Sequence, residues 1–306
     1  MAIKKISGKV NSWVFIDQVG EDAGDYLKEN FKFHPLDLED VLSARQRPKI
    51  DVYRYYIFLI CVFPYYDAQE KNKIRGREVD IFLTKDCLVT VSKKPFPVLR
   101  EIFDKMDKGD KLKKIWLGKS PSFLLYKILE ILLRSSNSSL DYWSQKLAEV
   151  EDDVYDHELK SVAHDLANIR RGVLALRRIL EPQKMTINTL VGTRKDFIPV
   201  EMVDYFDNID DYVEKMCVTV ENFKDSVDGL HLTNESLISQ RTNRTIKILT
   251  VISVALMPLT LLSGIYGMNL SRLPYAEQPE MVFGFFGIAI LFIITLIFVI
   301  YKKGRF

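Results

Sequence analysis

The residues with the clearest chemical potential lie near the C-terminus. Gly264-Ile265-Tyr266-Gly267-Met268-Asn269 closes an uncharged run of 19 residues, 248–266. Glycine at a helix end permits a left-handed cap. Repeated in a ring of subunits, Asn269 would present neutral amide oxygens around one axis. Mg2+ dehydrates reluctantly and keeps its waters, so such a ring could hydrogen-bond a hydrated ion without stripping it. The same tripeptide also serves as a plain helix end followed by a turn. Other chemistries are poorly supplied. Gly118-Lys119-Ser120 ends like a phosphate-binding loop, but the position needing glycine is Lys113. Cys61, Cys87 and Cys217 form no CxxC pair, and the four histidines are scattered, so neither a disulfide framework nor a zinc site is indicated. No nucleic-acid module, ATP site or catalytic constellation is visible, so the expectation is a protein that is not an enzyme and needs no cofactor.

Acidic residues gather twice, six in residues 149–158 and six in residues 201–214. Each group reads as a solvated helix face or as a surface that concentrates cations.

These groups need elements to carry them. The 306 residues hold 43 Lys+Arg against 41 Asp+Glu, and the mean hydropathy is −0.02. Those averages exclude a disordered chain and a strongly basic nucleic-acid binder, but they hide segregation. Residues 248–266 and 281–301 are both uncharged and long enough to cross about 30 Å of hydrocarbon. A pair of buried core helices is the competing reading. Arg241, Arg244 and Lys247 precede the first run, and Lys302, Lys303 and Arg305 follow the second, which places both flanks in the cytoplasm by the positive-inside rule. The start has no apolar stretch resembling a cleavable leader. The expectation is a two-span protein of the cell membrane with both termini cytoplasmic, in contact with membrane lipid. Two helices cannot enclose a water-filled path alone, so transport requires several copies around an axis. A divalent cation entering down 100 mV gains about 4.6 kcal/mol.

Upstream, residues 10–16, 55–63, 79–84 and 87–91 are rich in β-branched and aromatic residues and predict strands, with helices over 20–33 and 35–43. A mixed sheet covered by helices follows. Beyond Pro97 the pattern is helical, with Pro182 and Pro199 as punctuation. From Val200 to Met257 there is no proline, and one helix over that stretch would be about 87 Å long. Phe206, Ile209, Val213, Met216, Val220, Phe223, Val227 and Leu230 repeat as a heptad seam. The fold class expected is α+β: an N-terminal cytosolic α/β/α domain with a mixed sheet, a long stalk helix and two C-terminal transmembrane helices. The divisions are a sheet domain over 1–120, a helical part with an acidic hairpin over 121–199, and a stalk and first span over 200–266. An external loop over 267–280, a second span over 281–301 and a basic tail over 302–306 complete the chain.

At this point the sequence resembles the CorA family of magnesium and cobalt channels. The resemblance rests on YGMN at 266–269, MPLT at 257–260, HPLDLEDV at 34–41, QRPK at 46–49, DIFLTK at 80–85 and the basic Lys302-Lys303. It implies a homopentamer with Mg2+ as transported and regulatory ion, Co2+ or Ni2+ also being candidates for passage. It also implies a pore lined by Asn243, Ile246, Leu249, Met257 and Thr260, with Gly267, Met268 and Asn269 as the filter. Leu249 and Met257 would then form an apolar constriction that gates by dewetting. Asp40 matches a carboxylate that holds regulatory Mg2+ between cytosolic domains. Its usual stalk partner falls at Leu232, and Asp228, one turn earlier, is the substitute. The outer loop departs from the family pattern at Leu273-Pro274-Tyr275, leaving Glu277 and Glu280 to attract external cations. A zinc transporter like ZntB, of the same superfamily, and a membrane-tethered scaffold without transport are the alternatives.

Residues 241–306 carry seven lysines and arginines against two acids, which leaves 36 against 39 for residues 1–240. The near-neutral total therefore sums an acidic body and a basic membrane collar.

Overall fold

A computed structural model describes residues 3–44, 46–67, 73–156, 159–268, 275 and 278–302. The chain divides into two compact units, residues 1–231 and 232–306.

The first unit is built on a six-stranded sheet. Strands β1 (Ile3–Ser7), β2 (Ser12–Ile16), β3 (Lys49–Val52), β4 (Tyr56–Asp67), β5 (Lys73–Thr84) and β6 (Cys87–Ser92) lie in the order β1-β2-β6-β5-β4-β3. Only the β2–β6 pair is parallel, so the sheet is mixed. Helices α1 (Glu21–Asn30) and α2 (Pro35–Leu42) cover one face, burying Val14, Ile16, Phe58, Ile60, Phe82 and Val91. The other face meets α3 (Pro97–Lys108), where Phe103 packs on Trp13 and Phe15. After the short α4 (Asp110–Trp116) come α5 (Pro121–Asp156) and α6 (Leu159–Gly192), which also reach the sheet. Ser139 of α5 donates to the Pro64 carbonyl, and Gln183 of α6 accepts the Val62 N–H. With both faces covered, the central strands read as unbroken apolar runs.

Three features differ from the sequence expectation. Strands β1 (IKKIS) and β3 (KIDV) were not anticipated: they are short, charged edges, the composition that discourages pairing with another chain. Helix α6 passes through Pro182 instead of ending there. Proline removes one helical hydrogen bond, but the buried face Leu176, Leu180, Gln183, Ile187 and Leu190 continues across it and holds the helix to the sheet. Gly267 ends its helix without entering the left-handed region. An added Cβ there would lie 2.9 Å from the Ser263 carbonyl oxygen, so close approach, not positive φ, calls for glycine.

Helix α7 (Met202–Tyr266) contributes to both units. Within the first, its heptad seam is buried, Phe223 excepted as half-buried. Polar pairs between α6 and α7 set an antiparallel register. Arg170 meets Asp228 at 3.5 Å, Arg177 meets Glu221 at 3.6 Å, Lys184 meets Glu214, and Asn188 meets Asp210 at 3.5 Å. Exposed ion pairs of this kind contribute only about 0.2–1 kcal/mol each, so the apolar seam supplies the binding and the ladder fixes the register. The acidic stretch 201–214 is thereby split. Asp210 and Glu214 face α6, while Glu201, Asp204, Asp207 and Asp211 stay exposed.

The second unit holds the rest of α7 and helix α8 (Pro279–Lys302). Among the described residues, α7 is long and apolar enough to cross a membrane, and α8 adds a shorter apolar stretch, Pro279–Thr295. Their large side chains, among them Leu261, Phe283, Ile288 and Leu291, are exposed.

Candidate ion pathway and cytosolic cation site

The five residues implied to line a pore lie on one unbroken helix. At 100° per residue, Asn243, Ile246, Leu249, Met257 and Thr260 fall within about 120° of the circumference. All five are exposed in the single chain. So are Ile252, Val254 and Leu256 on other faces, so exposure does not single out this arc. Thr250, Ser253 and Gly264 share the arc with Asn243 and Thr260, giving it small and polar residues that a lipid-facing stripe does not need. Thr250 and Ser253 carry no motif; the 3.6-residue period places them on this arc. The hydroxyls of Thr250 and Thr260 donate to the carbonyls of Ile246 and Leu256, at 2.8 and 3.1 Å. Such bonds satisfy the hydroxyl locally in apolar surroundings.

At the far end the backbone N–H of Gly267 donates to Ser263 and that of Met268 to Ile265. Met268 is exposed. Asn269 and Glu277 lie outside the described residues. Glu280 is exposed in the first turn of α8, where a negative charge suits the helix dipole.

Asp40 stands in the last turn of α2. Its carboxylate lies 2.7 Å from Lys49 Nζ, which also contacts Asp51 at 2.6 Å. Burial opposes the charge on Lys49, but hydrogen bonds to the two carboxylates outweigh it and raise its pKa. Asp228 is occupied differently, by Arg170 of α6. Each proposed sensor carboxylate thus has a cationic partner from its own chain, and the two belong to separate networks. Leu232 is exposed. Among the described residues no three His, Cys, Asp or Glu side chains converge as metal ligands.

What seats α2 is Asp37, one turn before Asp40. It is buried and accepts hydrogen bonds from Tyr56 at 2.6 Å and Tyr53 at 3.0 Å. Tyr56 in turn accepts the backbone N–H of His34, whose Nδ1 caps the helix by accepting from Leu36. Burial raises the Asp37 pKa against the opposing phenol bonds, and burial with the Asp37 contact pushes Tyr53 up to about 12. Asp37→Ala leaves two phenols without their acceptor and is expected to destabilise the protein by about 3 kcal/mol. A thermal melt of the purified protein against wild type checks this; an unchanged midpoint would show that the phenols find other partners.

An α/β domain with a mixed sheet, one very long helix and a short C-terminal apolar helix define a membrane protein of the CorA fold. The solved CorA magnesium transporter of Methanocaldococcus jannaschii superposes with a TM-score of 0.81 at 19% identity, covering 95% of this chain and 92% of that one. The full-length CmaX protein does so at 0.74 and 17% identity, covering 97% and 89%. Residues 8–303 match the CorA-like Mg2+ transporter protein family, and the chain belongs to that family of divalent cation transporters. It is 28% identical over 297 residues to the cobalt/magnesium transport protein CorA of Thermotoga maritima, covering 96% of this chain and 82% of that one. It is also 22% identical to the zinc transport protein ZntB of Pectobacterium atrosepticum, over 71% and 63% of the two chains.

Proposed function

We propose that this chain is the subunit of a homopentameric channel that admits Mg2+ into the cytosol, down the membrane potential. The observation that carries this reading is the arc of α7. Small and polar residues share one exposed face with Leu249 and Met257, on a helix that ends at Tyr266, just before Gly267-Met268. A membrane anchor needs no such arc, and two helices cannot enclose a water path, so the reading requires copies ringed about an axis. In the ring, Asn269 selects the hydrated cation at the outer mouth and Glu280, with Glu277, concentrates cations before it. Leu249 and Met257 form the gate. Both termini lie in the cytoplasm, where Mg2+ at Asp40 closes the channel and its loss opens it. The charge of the ion couples it to the membrane potential directly, so uptake proceeds without ATP.

The test is Mg2+ flux into liposomes holding the purified protein. Asn269→Ala is expected to reduce flux by tenfold or more, about 1.4 kcal/mol of lost recognition. Flux equal to wild type sinks the filter assignment. Running Co2+ and Zn2+ in parallel tests the ion, and preferential Zn2+ flux would favour a ZntB-like role.

A further inference from the structure

Beneath the corner between α2 and β3 the sheet buries two carboxylates and one ammonium. Glu78 and Asp80 alternate with Phe82 on the face of β5 that packs under α1 and α2. Asp80 is fully buried, paired in register with Ile60 of β4 and Val91 of β6. Lys93, one residue past β6, brings Nζ to 3.3 Å from Asp80 and 3.5 Å from Glu78. The same ammonium donates to the backbone carbonyls of Asp40, at 2.6 Å, and Val41. Glu78 accepts the backbone N–H of Gln46 at 2.7 Å. One cluster therefore fastens both the last turn of α2 and the loop leading to β3. Its bonds to that corner are to backbone, which leaves the Asp40 side chain outside it.

The charges in this cluster do not balance. Among the described residues two carboxylates face one ammonium, and neither Asp80 oxygen nor Glu78 Oε1 receives a hydrogen bond. A surplus buried charge without a partner is costly, and a carboxyl in that position takes up a proton instead. Among the described residues no other cation supplies the missing charge: Lys49, on the same face two strands away, is held by Asp40 and Asp51. Cys61 of β4 pairs with Val79 and so lies on the opposite face, its thiol pushed up to about 12 chiefly by burial, and Ile60, Phe82 and Val91 are apolar. Burial, above all, drives the Asp80 pKa well above the usual carboxylate range; Lys93 opposes this and Glu78 adds to it.

We propose that Asp80 carries a proton at neutral pH, and that Lys93, balanced by Glu78 alone, is the positioning residue that seats the corner presenting Asp40 to cations. The second half rests on the reading of Asp40 as a cytosolic cation site. Ionisation of Asp80 would draw Lys93 toward the sheet and weaken its hold on the α2 carbonyls.

Full-length protein in detergent tests the proton by melting between pH 5 and 8. A carboxyl whose pKa is raised by folding contributes stability that is complete below its unfolded value, near 4. That contribution is lost as pH rises toward the folded value, by up to about tenfold in the folding equilibrium constant per pH unit. Asp80→Asn keeps the shape and the neutral charge. It is expected to approach wild type toward the acid end, to exceed it at pH 7, and to lack this decline. A variant that unfolds at pH 7, or that keeps the wild-type pH slope, overturns the protonated assignment. The positioning role is read from the Mg2+ concentration that half-protects the protein from trypsin. Lys93→Met is expected to raise it about tenfold, the usual size of an outer-sphere effect on metal affinity, and Lys93→Arg to restore most of it. A folded Lys93→Met protein with the wild-type midpoint overturns that role. If Asp40→Asn also leaves the midpoint unchanged, the cation-site reading falls and takes the positioning role with it, while the melts decide the proton separately.

Discussion

Replacing Leu249 with asparagine and Met257 with serine is expected to raise Mg2+ flux through the closed channel about tenfold. The two side chains are 63% and 71% exposed in the single chain, so neither supports the fold of the subunit. They lie on the same arc of α7, eight residues or about 12 Å apart along the axis. In the proposed pentamer, two apolar rings at that separation would bound a short stretch of pore from which water is expelled, and an ion could not shed its hydration to pass. Polar side chains of smaller bulk let water in at both levels. Lowering the barrier by about 1.4 kcal/mol is sufficient for a tenfold change. The measurement is liposome flux with millimolar Mg2+ inside, the condition under which the proposed gate shuts. A double variant that remains as tight as wild type would place the gate elsewhere. Loss of flux in the open state would instead mean that these residues shape the conducting path.

The long helices were legible in the sequence because their logic is periodic. Apolar runs over 248–266 and 281–301 and the seam from Phe206 to Leu230 can be counted residue by residue, and α7 and α8 contain them. What could not be read were effects that depend on tertiary neighbours. The ladder that turns Glu214, Glu221 and Asp228 toward α6 needs Lys184, Arg177 and Arg170, some 30 to 58 residues away in the chain. Lys49 is only nine residues from Asp40, yet nothing local says that β3 will turn its ammonium back toward α2. Gly172 is a similar case. In the sequence it is a glycine inside a helical stretch, where glycine is unfavourable. In the fold an added Cβ would lie 2.2 Å from the ring of Trp143, so glycine is what lets α6 pass the indole. The buried cluster of Glu78, Asp80 and Lys93 is hardest of all, because a strand of alternating acids predicts a solvated face. Here α2 covers it.

The same aspartate placed at two positions of α7 is expected to give opposite results. Val213 is 0% exposed in the seam, and Leu232 is 66% exposed at the start of the second unit. Val213→Asp puts a carboxylate among apolar side chains with no donor provided for it, which costs several kcal/mol whether the group stays charged or takes a proton. The α6–α7 packing should fail, seen as a large drop in melting temperature and early proteolysis. Leu232→Asp removes an exposed apolar side chain at little expense to stability. It also places a carboxylate at the stalk position where the family resemblance implies the partner of Asp40. Adding one negative ligand strengthens Mg2+ binding. The Mg2+ concentration needed for protection from trypsin is therefore expected to fall about tenfold, equivalent to about 1.4 kcal/mol. The gain should vanish in the Leu232→Asp, Asp40→Asn double variant, since a site shared between the two residues requires both. If Leu232→Asp is folded and leaves the Mg2+ midpoint where it was, the Asp40 surface does not face that part of a neighbouring α7. A regulatory carboxylate would then be sought among the exposed acids Glu201, Asp204, Asp207 and Asp211, which the α6 ladder leaves unpaired in register.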